Sequence, residues 1–391
     1  MRQTFESLLT KLPHVGTTIF TVMSRLATDT GALNLSQGFP GFDTDPLLID
    51  LVTTAMQRGY NQYAPMAGVP LLREAIADKT IFCYDVGYNP ETEITITSGA
   101  TEALYAAITA VVQTDDEVLV FEPAYDSYVP AIELAGGKPV FIRLSFPNYV
   151  IDWEDVRRKI TPRTRLIVVN TPHNPTGRVW TTHYIEQLAE LVRTHQLWVV
   201  SDEVYEHITF DGRVHHSLMQ HPALRERAFI IGSFGKTFHI TGWKIGYCLA
   251  PAALTTEFRK IHQFLTFSVS TPMQYALADY LQEPSHYQQL SAFYEQKRDV
   301  FLRAIAGSRF RFIPSEGSFF QNVSYAAISD EPDYELAVRL TRDIGVASIP
   351  VSVFNDQRID EKVLRFCFAK DDAILAEAGE RLTQWSLTGS L

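Results

Sequence analysis

One lysine lies in a setting that suits covalent chemistry with a carbonyl compound. Lys236 follows an apolar run that ends at Gly232, and small residues, Ser233 and Gly235, stand between them. Burial at the end of such a run disfavours the charged ammonium, which makes the neutral amine available to form a Schiff base. The small residues leave room for a bulky planar group beside the amine. The pattern therefore predicts a Schiff-base lysine, although a solvated loop position is the ordinary role of any single lysine.

The same residues carry half of a nucleotide-binding motif. Gly235-Lys236-Thr237 could end a phosphate-binding P-loop, but that loop requires a glycine five positions before Gly235, and Ile230 stands there. The Gly-x-Gly-x-x-Gly fingerprint of dinucleotide-binding folds does not follow any of the apolar runs. The sequence therefore disfavours a nucleotide or dinucleotide as the ligand of this lysine.

A second segment has the composition of an anion-binding site. Thr97-Ser98-Gly99-Ala100-Thr101, here called the anion cup, ends one apolar run and opens a helical pattern over residues 100–112. Backbone N–H groups and hydroxyls at a helix start can converge on an anion at the positive end of the helix dipole. We expect a phosphate group here, although Ser98 or Thr101 alone would more commonly cap the helix.

Polar side chains follow two further apolar runs. Asn174 precedes Pro175, and Asp202 stands three residues before Tyr205. Ligands bind outside the carboxyl ends of strands in open α/β sheets, so both segments should face the same crevice as Lys236. A turn or a helix cap explains Asn174 or Asp202 alone equally well. Together with the lysine and the anion cup, they supply the groups needed to hold pyridoxal 5′-phosphate.

A sheet has to position these groups, and the apolar pattern predicts one. Short β-rich runs recur between residues 94 and 250, and most are apolar enough to be buried on both faces. Helical patterns lie between them, which predicts a mostly parallel α/β sheet covered on both sides. The predicted strands are residues 94–97, 118–121, 139–144, 166–170, 197–201, 229–232 and 247–250.

The chain changes character after about residue 285. A charged helix is predicted through residues 296–305, and an amphipathic helix over residues 372–385. Strands are predicted between them at residues 309–313, 318–323 and 363–368. This mixture predicts a smaller α+β unit after the large one.

Length, composition and charge favour a globular protein of two domains and disfavour a nucleic-acid-binding or membrane protein. A chain of 391 residues is longer than one hydrophobic core usually supports, which favours two domains. Because 46% of the residues are hydrophobic, we expect a globular protein. The net charge of −11 opposes binding to nucleic acid or to anionic membranes. Three widely spaced cysteines indicate neither a disulfide framework nor a metal site. Because no apolar run approaches the roughly 18 residues of a membrane span, we expect a cytoplasmic protein.

The chain resembles the fold-type I, class I pyridoxal-phosphate aminotransferases over essentially its whole length. The similarity is strongest to the branch that contains methionine and kynurenine aminotransferases. It rests on the motifs Gln37-Gly38-Phe39-Pro40, Asn170-Thr171-Pro172, Asp202-Glu203-Val204-Tyr205 and Gly235-Lys236-Thr237-Phe238.

The resemblance implies an aspartate-aminotransferase-like α/β fold. Its large cofactor-binding domain, residues 46–285, would contain a mostly parallel seven-stranded sheet. A smaller α+β domain would follow over residues 286–391, and the N-terminal segment, residues 1–45, would join that small domain.

The resemblance also implies how pyridoxal phosphate would be held. Lys236 would form the internal aldimine and carry the proton of the substrate, and Asp202 would pair with the pyridine nitrogen. Asn174 and Tyr205 would hydrogen-bond the phenolic oxygen of the ring, and Tyr125 would stack on the ring. The phosphate would be surrounded by Ser98, Gly99, Ala100, Thr101, Ser233, Lys244 and, across a homodimer with shared active sites, Tyr63 of the partner subunit. At position 244 many relatives have arginine instead, and a lysine there would supply the charge without the bidentate fork.

A substrate site is implied in the same way. Arg365 would grip the α-carboxylate through its planar fork, with Asn174 beside it, and Gly38 belongs to the segment that closes over the substrate. An aromatic rim suits methionine or an aromatic side chain better than a second carboxylate. Four phenylalanines fall in segments that line the substrate side in relatives: Phe20, Phe39, Phe267 and Phe354.

The implied reaction is transfer of the amino group of an L-amino acid to a 2-oxo acid, with methionine favoured as donor and aromatic or other apolar amino acids as the further candidates. It would run as two half-reactions, with pyridoxamine phosphate as the intermediate form of the cofactor. Two alternatives stay open. The same lysine and cofactor serve carbon–sulfur β-lyases, which release ammonia and pyruvate from cysteine conjugates. A cofactor-sensing transcription regulator is disfavoured, because the roughly 30 residues before Asn34 leave no room for a DNA-binding module.

Overall fold

The structure is a computed structural model that describes residues 10–388. Its strands, in chain order, are β1 Leu33–Asn34, β2 Ile94–Thr97, β3 Glu117–Glu122, β4 Lys138–Arg143, β5 Thr164–Asn170, β6 Trp198–Asp202, β7 Ala228–Ser233, β8 Gly246–Leu249, β9 Phe320–Ser324, β10 Val346–Ala347, β11 Ile349–Pro350 and β12 Val363–Cys367. Residues 1–9 of the expected N-terminal segment and residues 389–391 of the expected small domain lie outside this range.

The α-helices of the described range are α1 Ile19–Thr30, α2 Pro46–Gln57, α3 Pro70–Tyr84, α4 Gly99–Val111, α5 Tyr128–Leu134, α6 Trp153–Lys159, α7 Thr182–His195, α8 Pro222–Arg225, α9 Phe234–Thr237, α10 Ala252–Leu265, α11 Thr271–Tyr280, α12 Ser285–Gln288, α13 Leu290–Ile305, α14 Asp333–Arg339 and α15 Asp372–Thr388. Within residues 10–388, no helix combines the length and the apolar composition needed to cross a membrane.

A seven-stranded sheet runs through the middle of the fold in the order β2-β8-β7-β6-β5-β3-β4. β8 alone runs opposite to the other six strands, so the expected mostly parallel sheet is confirmed. Its strands are the seven that the apolar runs predict, with ends that differ by at most two residues. Because helices cover both faces, a central strand such as β5 is apolar from Leu166 to Val169 and is buried there on both sides.

A smaller antiparallel sheet, in the order β11-β12-β9, follows the large one. The helices α13 and α15, both predicted from the sequence, pack against each other beside it. The predicted strand over residues 309–313 is wrong, because Arg311 makes only an isolated bridge to Ser324. The ladder stops there since Ile313 is partly exposed and Pro314 has no backbone N–H to donate.

The N-terminal segment lies against the smaller sheet. β1 pairs in parallel with β10, with Leu33 opposite Val346. The carbonyl of Leu35 then accepts a hydrogen bond from the N–H of Cys367 at 2.8 Å, at the end of β12. These contacts bring the segment that contains Gly38 next to the strand that carries Arg365.

Candidate active site

The carboxyl ends of the parallel strands open into a cavity of about 290 Å³. Three neighbouring strands, β5, β6 and β7, end at its floor with Asn170, Asp202 and Ser233. The smaller sheet closes the opposite side with Arg365. The structure thereby brings together thirteen of the predicted site residues: Phe20, Gly38, Gly99, Ala100, Thr101, Tyr125, Asn174, Asp202, Tyr205, Ser233, Lys236, Lys244 and Arg365.

Lys236 lies in α9, a single helical turn that starts directly after β7. Its Nζ donates a hydrogen bond to the carbonyl oxygen of Gly38 at 2.8 Å, and it lies 5.2 Å from the ring centre of Phe319 and 5.7 Å from that of Tyr205. Burial in this setting lowers the pKa of the Lys236 ammonium from 10.5 to about 8. The lysine is therefore able to lose its proton and act as a nucleophile or base close to neutral pH.

Asp202 is a buried carboxylate at the floor of the cavity. Tyr128 donates its phenolic hydrogen to Oδ2 of Asp202 at 2.6 Å, and the N–H of Val204 donates to Oδ1 at 3.3 Å. Burial raises the pKa of Asp202 to about 6, and the two hydrogen bonds act in the opposite direction. Asp202 is therefore mostly ionised at neutral pH and can pair with a cationic ring nitrogen in a low-dielectric site.

A chain of hydrogen bonds joins Asp202 to Arg365 through two asparagines. The side chain of Asn170 donates to the carbonyl of Asp202 at 2.8 Å and accepts from the N–H of Asn174 at 2.7 Å. The side-chain oxygen of Asn174 in turn accepts from Nη1 of Arg365 at 2.8 Å. The floor of the cavity and its far wall therefore share one polar network.

Arg365 is 1% exposed, and no carboxylate of the described residues pairs with it. Its Nη2 donates to the carbonyl of Ser36 at 3.2 Å, whereas its buried Nε has no partner among residues 10–388. The ring of Phe320 lies 3.9 Å from the guanidinium carbon, and burial lowers the pKa of Arg365 to about 10. A buried guanidinium with an unused N–H that borders a cavity is suited to receive a carboxylate.

The anion cup forms the start of α4. Gly99 has a φ of +74°, and a Cβ atom there would lie 3.1 Å from Nζ of Lys244. Lys244 reaches Oγ1 of Thr101 at 3.4 Å, and burial lowers the pKa of its ammonium. The side chain of Ser98 makes no capping hydrogen bond, so the ordinary capping role does not apply to it. A helix start beside a lysine offers an anion both N–H donors and positive charge.

Five predicted site residues do not line the cavity of the single chain: Ser98, Tyr63, Phe39, Phe267 and Phe354. Tyr63 is 84% exposed, and its ring lies 5.6 Å from that of Phe267, which is also exposed. The exposed ring of Phe39 lies 4.6 Å from the ammonium of Lys370. Phe354 is buried behind Arg365, at 5.0 Å from its guanidinium.

Sequence reasoning missed several residues of this site. Phe320 lines the cavity and Tyr128 donates to Asp202, yet neither stands out by type or spacing. Asn170 lines the cavity as well, and its signal was the motif Asn170-Thr171-Pro172. Gln37 also lines the cavity and donates to the carbonyl of Phe20 at 3.0 Å. A signal for Gln37 existed, because it belongs to the motif that contains Gly38.

Comparisons with known proteins agree with this geometry. The family model described as aminotransferase class I and II matches residues 30–382. Methionine aminotransferase of Escherichia coli (strain K12) is 51% identical over 96% of this chain and 97% of that protein. Kynurenine–oxoglutarate transaminase of Dictyostelium discoideum is 34% identical over 94% of this chain and 94% of that protein.

Solved structures are similar as well. An Escherichia coli structure identified with a methionine aminotransferase function superposes with a TM-score of 0.95 at 50% identity, covering 96% of this chain and 99% of the other. N-Succinyldiaminopimelate aminotransferase from Mycobacterium tuberculosis has a TM-score of 0.93 at 37% identity, covering 97% and 100%.

Proposed function

The chain belongs to the class I and II aminotransferases, and we propose that it transfers the amino group of L-methionine, above other amino acids, to a 2-oxo acid with pyridoxal 5′-phosphate as its cofactor. The observation that carries this proposal is the meeting of three groups in one cavity. A lysine with a lowered pKa, a buried carboxylate and a buried arginine, namely Lys236, Asp202 and Arg365, face the same space.

The residues of the cavity fit pyridoxal phosphate. Gly99 has no Cβ to fill the space beside Lys244, so the anion cup is open to a phosphate group. Lys236 would bind the aldehyde carbon, and Asp202 would pair with the ring nitrogen. When bound, the cofactor supplies an electron sink for negative charge at the substrate Cα. The remaining contacts would come from Ser98, Ala100, Thr101, Tyr125, Asn174, Tyr205 and Ser233.

Lys236 would act as the acid and base of the reaction. Its Nζ would take the proton from Cα of the amino acid and return a proton to the cofactor side. A pKa of about 8 suits this exchange, because proton transfer is most effective when the pKa of the catalytic group lies near the working pH. The hydrogen bond from Tyr128 would keep Asp202 ionised and fixed in orientation while this proton moves.

Arg365 would bind the α-carboxylate of both the amino acid and the 2-oxo acid. Two of its nitrogens are already held by Asn174 and Ser36, so the plane of the guanidinium is set before substrate binds. Phe320 covers one face of that plane and Phe20 lies 5.4 Å away, which makes this part of the cavity largely aromatic. An aromatic wall supports a preference for methionine over an acidic side chain.

A homodimer with shared sites accounts for two of the predicted residues that lie outside the cavity of the single chain, Tyr63 and Phe267. Tyr63, Phe264 and Phe267 are large aromatic residues with 84%, 87% and 44% exposure, which is unusual for a free surface. We propose that this aromatic cluster faces a second copy of the chain. Tyr63 of the partner subunit would then reach the phosphate held by the anion cup.

Absorbance spectroscopy of purified protein loaded with pyridoxal phosphate tests the proposal. Methionine added without an acceptor should replace the near-visible band of the bound cofactor by a band at shorter wavelength. Lys236→Ala should lack that response, whereas Lys260→Ala, at an exposed position of α10, should show it fully.

Each part of the proposal has its own failing outcome. Wild-type protein without any lysine-dependent band would overturn the cofactor assignment. A band that responds to other amino acids and not to methionine would overturn the donor assignment alone. Release of ammonia and pyruvate from a cysteine conjugate, in place of 2-oxo acid formation from methionine, would indicate a β-lyase.

A further inference from the structure

We infer that His262 is a positioning residue that joins the anion cup to the segment carrying Tyr63. His262 lies in α10, is fully buried, and does not line the cavity. Its two ring nitrogens face oxygen atoms of two separate segments. Nδ1 lies 2.7 Å from Oε1 of Glu102, and Nε2 lies 2.8 Å from the carbonyl oxygen of Met66. This inference rests on the proposed function, which assigns the cofactor phosphate to the anion cup.

Glu102 carries the linkage to the anion cup. It belongs to the first turn of α4, and its Oε2 accepts a hydrogen bond from the N–H of Ser98 at 2.6 Å. Its other oxygen is the one that faces His262. The carboxylate therefore fixes the backbone that enters the helix immediately before Gly99. Without a partner for Oε1, this buried carboxylate would turn away and release Ser98.

The carbonyl of Met66 links His262 to the segment that contains Tyr63. Met66 lies three residues after Tyr63, which is proposed to reach the phosphate of the other subunit. The same segment is held by Ser268, whose hydroxyl donates to the carbonyl of Ala64 at 3.1 Å. The backbone oxygen of His262 also accepts from the N–H of Phe267, next to Tyr63. His262 is thus linked to the anion cup through Glu102, and it contacts the segment that contains Tyr63 through Met66. The proposed function assigns both segments to a phosphate group.

We assign a hydrogen to each ring nitrogen of His262 from the oxygen atom that it faces. A carbonyl oxygen only accepts, so Nε2 carries a hydrogen, and an ionised carboxylate only accepts, so Nδ1 carries a second one. With Glu102 ionised, a doubly protonated ring would satisfy both contacts and neutralise this carboxylate, whose side chain is 8% exposed.

A set of full-length variants separates this role from simple packing. His262→Phe keeps a ring of similar size and removes both donors, and Glu102→Ala removes the link to Ser98. Glu102→Gln is the conservative variant, because its amide oxygen can accept from Ser98 while its NH₂ group donates to a singly protonated His262. His286→Phe is the control, since His286 is a partly buried histidine of α12 that bonds a carbonyl, that of Tyr280, at 2.9 Å.

The measurements are the dissociation constant of pyridoxal phosphate and the ¹⁵N spectrum of histidine-labelled protein. We expect His262→Phe and Glu102→Ala to raise the dissociation constant roughly tenfold or more, since each leaves a buried polar group without its partner. Glu102→Gln should stay within about twofold of wild type, because its amide oxygen keeps the hydrogen bond from Ser98. His286→Phe should also stay within about twofold, because His286 bonds the carbonyl of Tyr280 and not the anion cup. The His262 ring should show two protonated nitrogens in wild type and one in Glu102→Gln.

The outcomes distinguish this inference from the proposed function. Unchanged cofactor affinity in both His262→Phe and Glu102→Ala, or a wild-type ring with one protonated nitrogen, would overturn the inference alone. If His262→Phe does not fold, Glu102→Ala and the wild-type spectrum still decide the question. Wild-type protein that binds no pyridoxal phosphate would overturn the proposed function, and the role of His262 in cofactor binding with it.

Discussion

Nη1 of Arg365 donates to the side-chain oxygen of Asn174 at 2.8 Å, which joins the smaller sheet to the loop after β5. Nη2 of the same guanidinium donates to Ser36, and Phe320 covers one of its faces. With two nitrogens engaged and one face covered, the buried group has little freedom to rotate. A carboxylate arriving in the cavity therefore meets an arginine whose orientation is already set.

Arg365→Lys should raise KM for methionine and for the 2-oxo acid by roughly 10–100-fold, since a single ammonium cannot replace the bidentate fork. Steady-state kinetics with each substrate varied in turn measures this change. Arg25→Lys is the matched control, because the Arg25 side chain is 83% exposed on α1, and it should leave both KM values unchanged. Wild-type KM values in Arg365→Lys would show that the carboxylate binds elsewhere.

Tyr128→Phe should move the acidic limb of the kcat/KM profile to higher pH. Burial raises the pKa of Asp202, and the hydrogen bond from Tyr128 lowers it. Together with the other contacts of Asp202 they give a pKa of about 6. Without that bond the pKa of Asp202 rises further, so less of the carboxylate is ionised just below neutral pH and activity falls there first. Tyr184→Phe serves as control, because the ring of Tyr184 packs against Trp153 rather than Asp202. An unchanged acidic limb in Tyr128→Phe would contradict the prediction.

The rate at which cofactor-free protein takes up pyridoxal phosphate should rise with pH and level off just above pH 8. Only the neutral amine of Lys236 reacts with the aldehyde, and burial lowers the pKa of this lysine from 10.5 to about 8. Rapid-mixing absorbance measurements across this range give the rates. A rate that keeps rising toward pH 10.5, as for a lysine in water, would show that the burial of Lys236 does not persist in solution.

Mixing variants of Lys236 and Tyr63 tests whether Tyr63 acts in the site of the other subunit, and each variant alone should have lost activity. Refolding Lys236→Ala together with Tyr63→Ala gives mixed dimers in which one site has both residues, so about a quarter of all sites should be intact. Activity per site should recover to that level. Lys236→Ala mixed with Asp202→Ala should recover none, because Lys236 and Asp202 line the cavity of the same chain. Equal recovery in both mixtures would contradict a shared site.

The large sheet was predictable because its strands are buried on both faces and therefore read as continuous apolar runs. The two-residue strands β1, β10 and β11 are too short to show any periodicity, so no prediction covered them. Residues 309–313, Arg-Phe-Arg-Phe-Ile, suggested a strand, but pairing depends on a neighbouring edge that the local pattern does not specify. Only Arg311 finds a partner there.

The site was predictable where chemistry depends on residue type at a strand end, as for Lys236 and Asp202. It was not predictable where a role comes from a partner that is distant in sequence. Tyr128 bonds Asp202 across 74 positions, and His262 bonds Glu102 across 160. Without those contacts, Tyr128 and His262 resemble ordinary core residues of amphipathic helices.

The pairing of β1 with β10 joins the segment that contains Gly38 to the smaller domain that carries Arg365, so the two form one rigid unit. Gly38 and Arg365 belong to that unit, whereas Lys236 follows a strand of the seven-stranded sheet. A rotation between the two would preserve the bond from Arg365 to Ser36 and lengthen or break the 2.8 Å contact from Lys236 to Gly38. The distance from Lys236 to Gly38 would therefore change with any such rotation, and a distance probe placed across this contact would measure it.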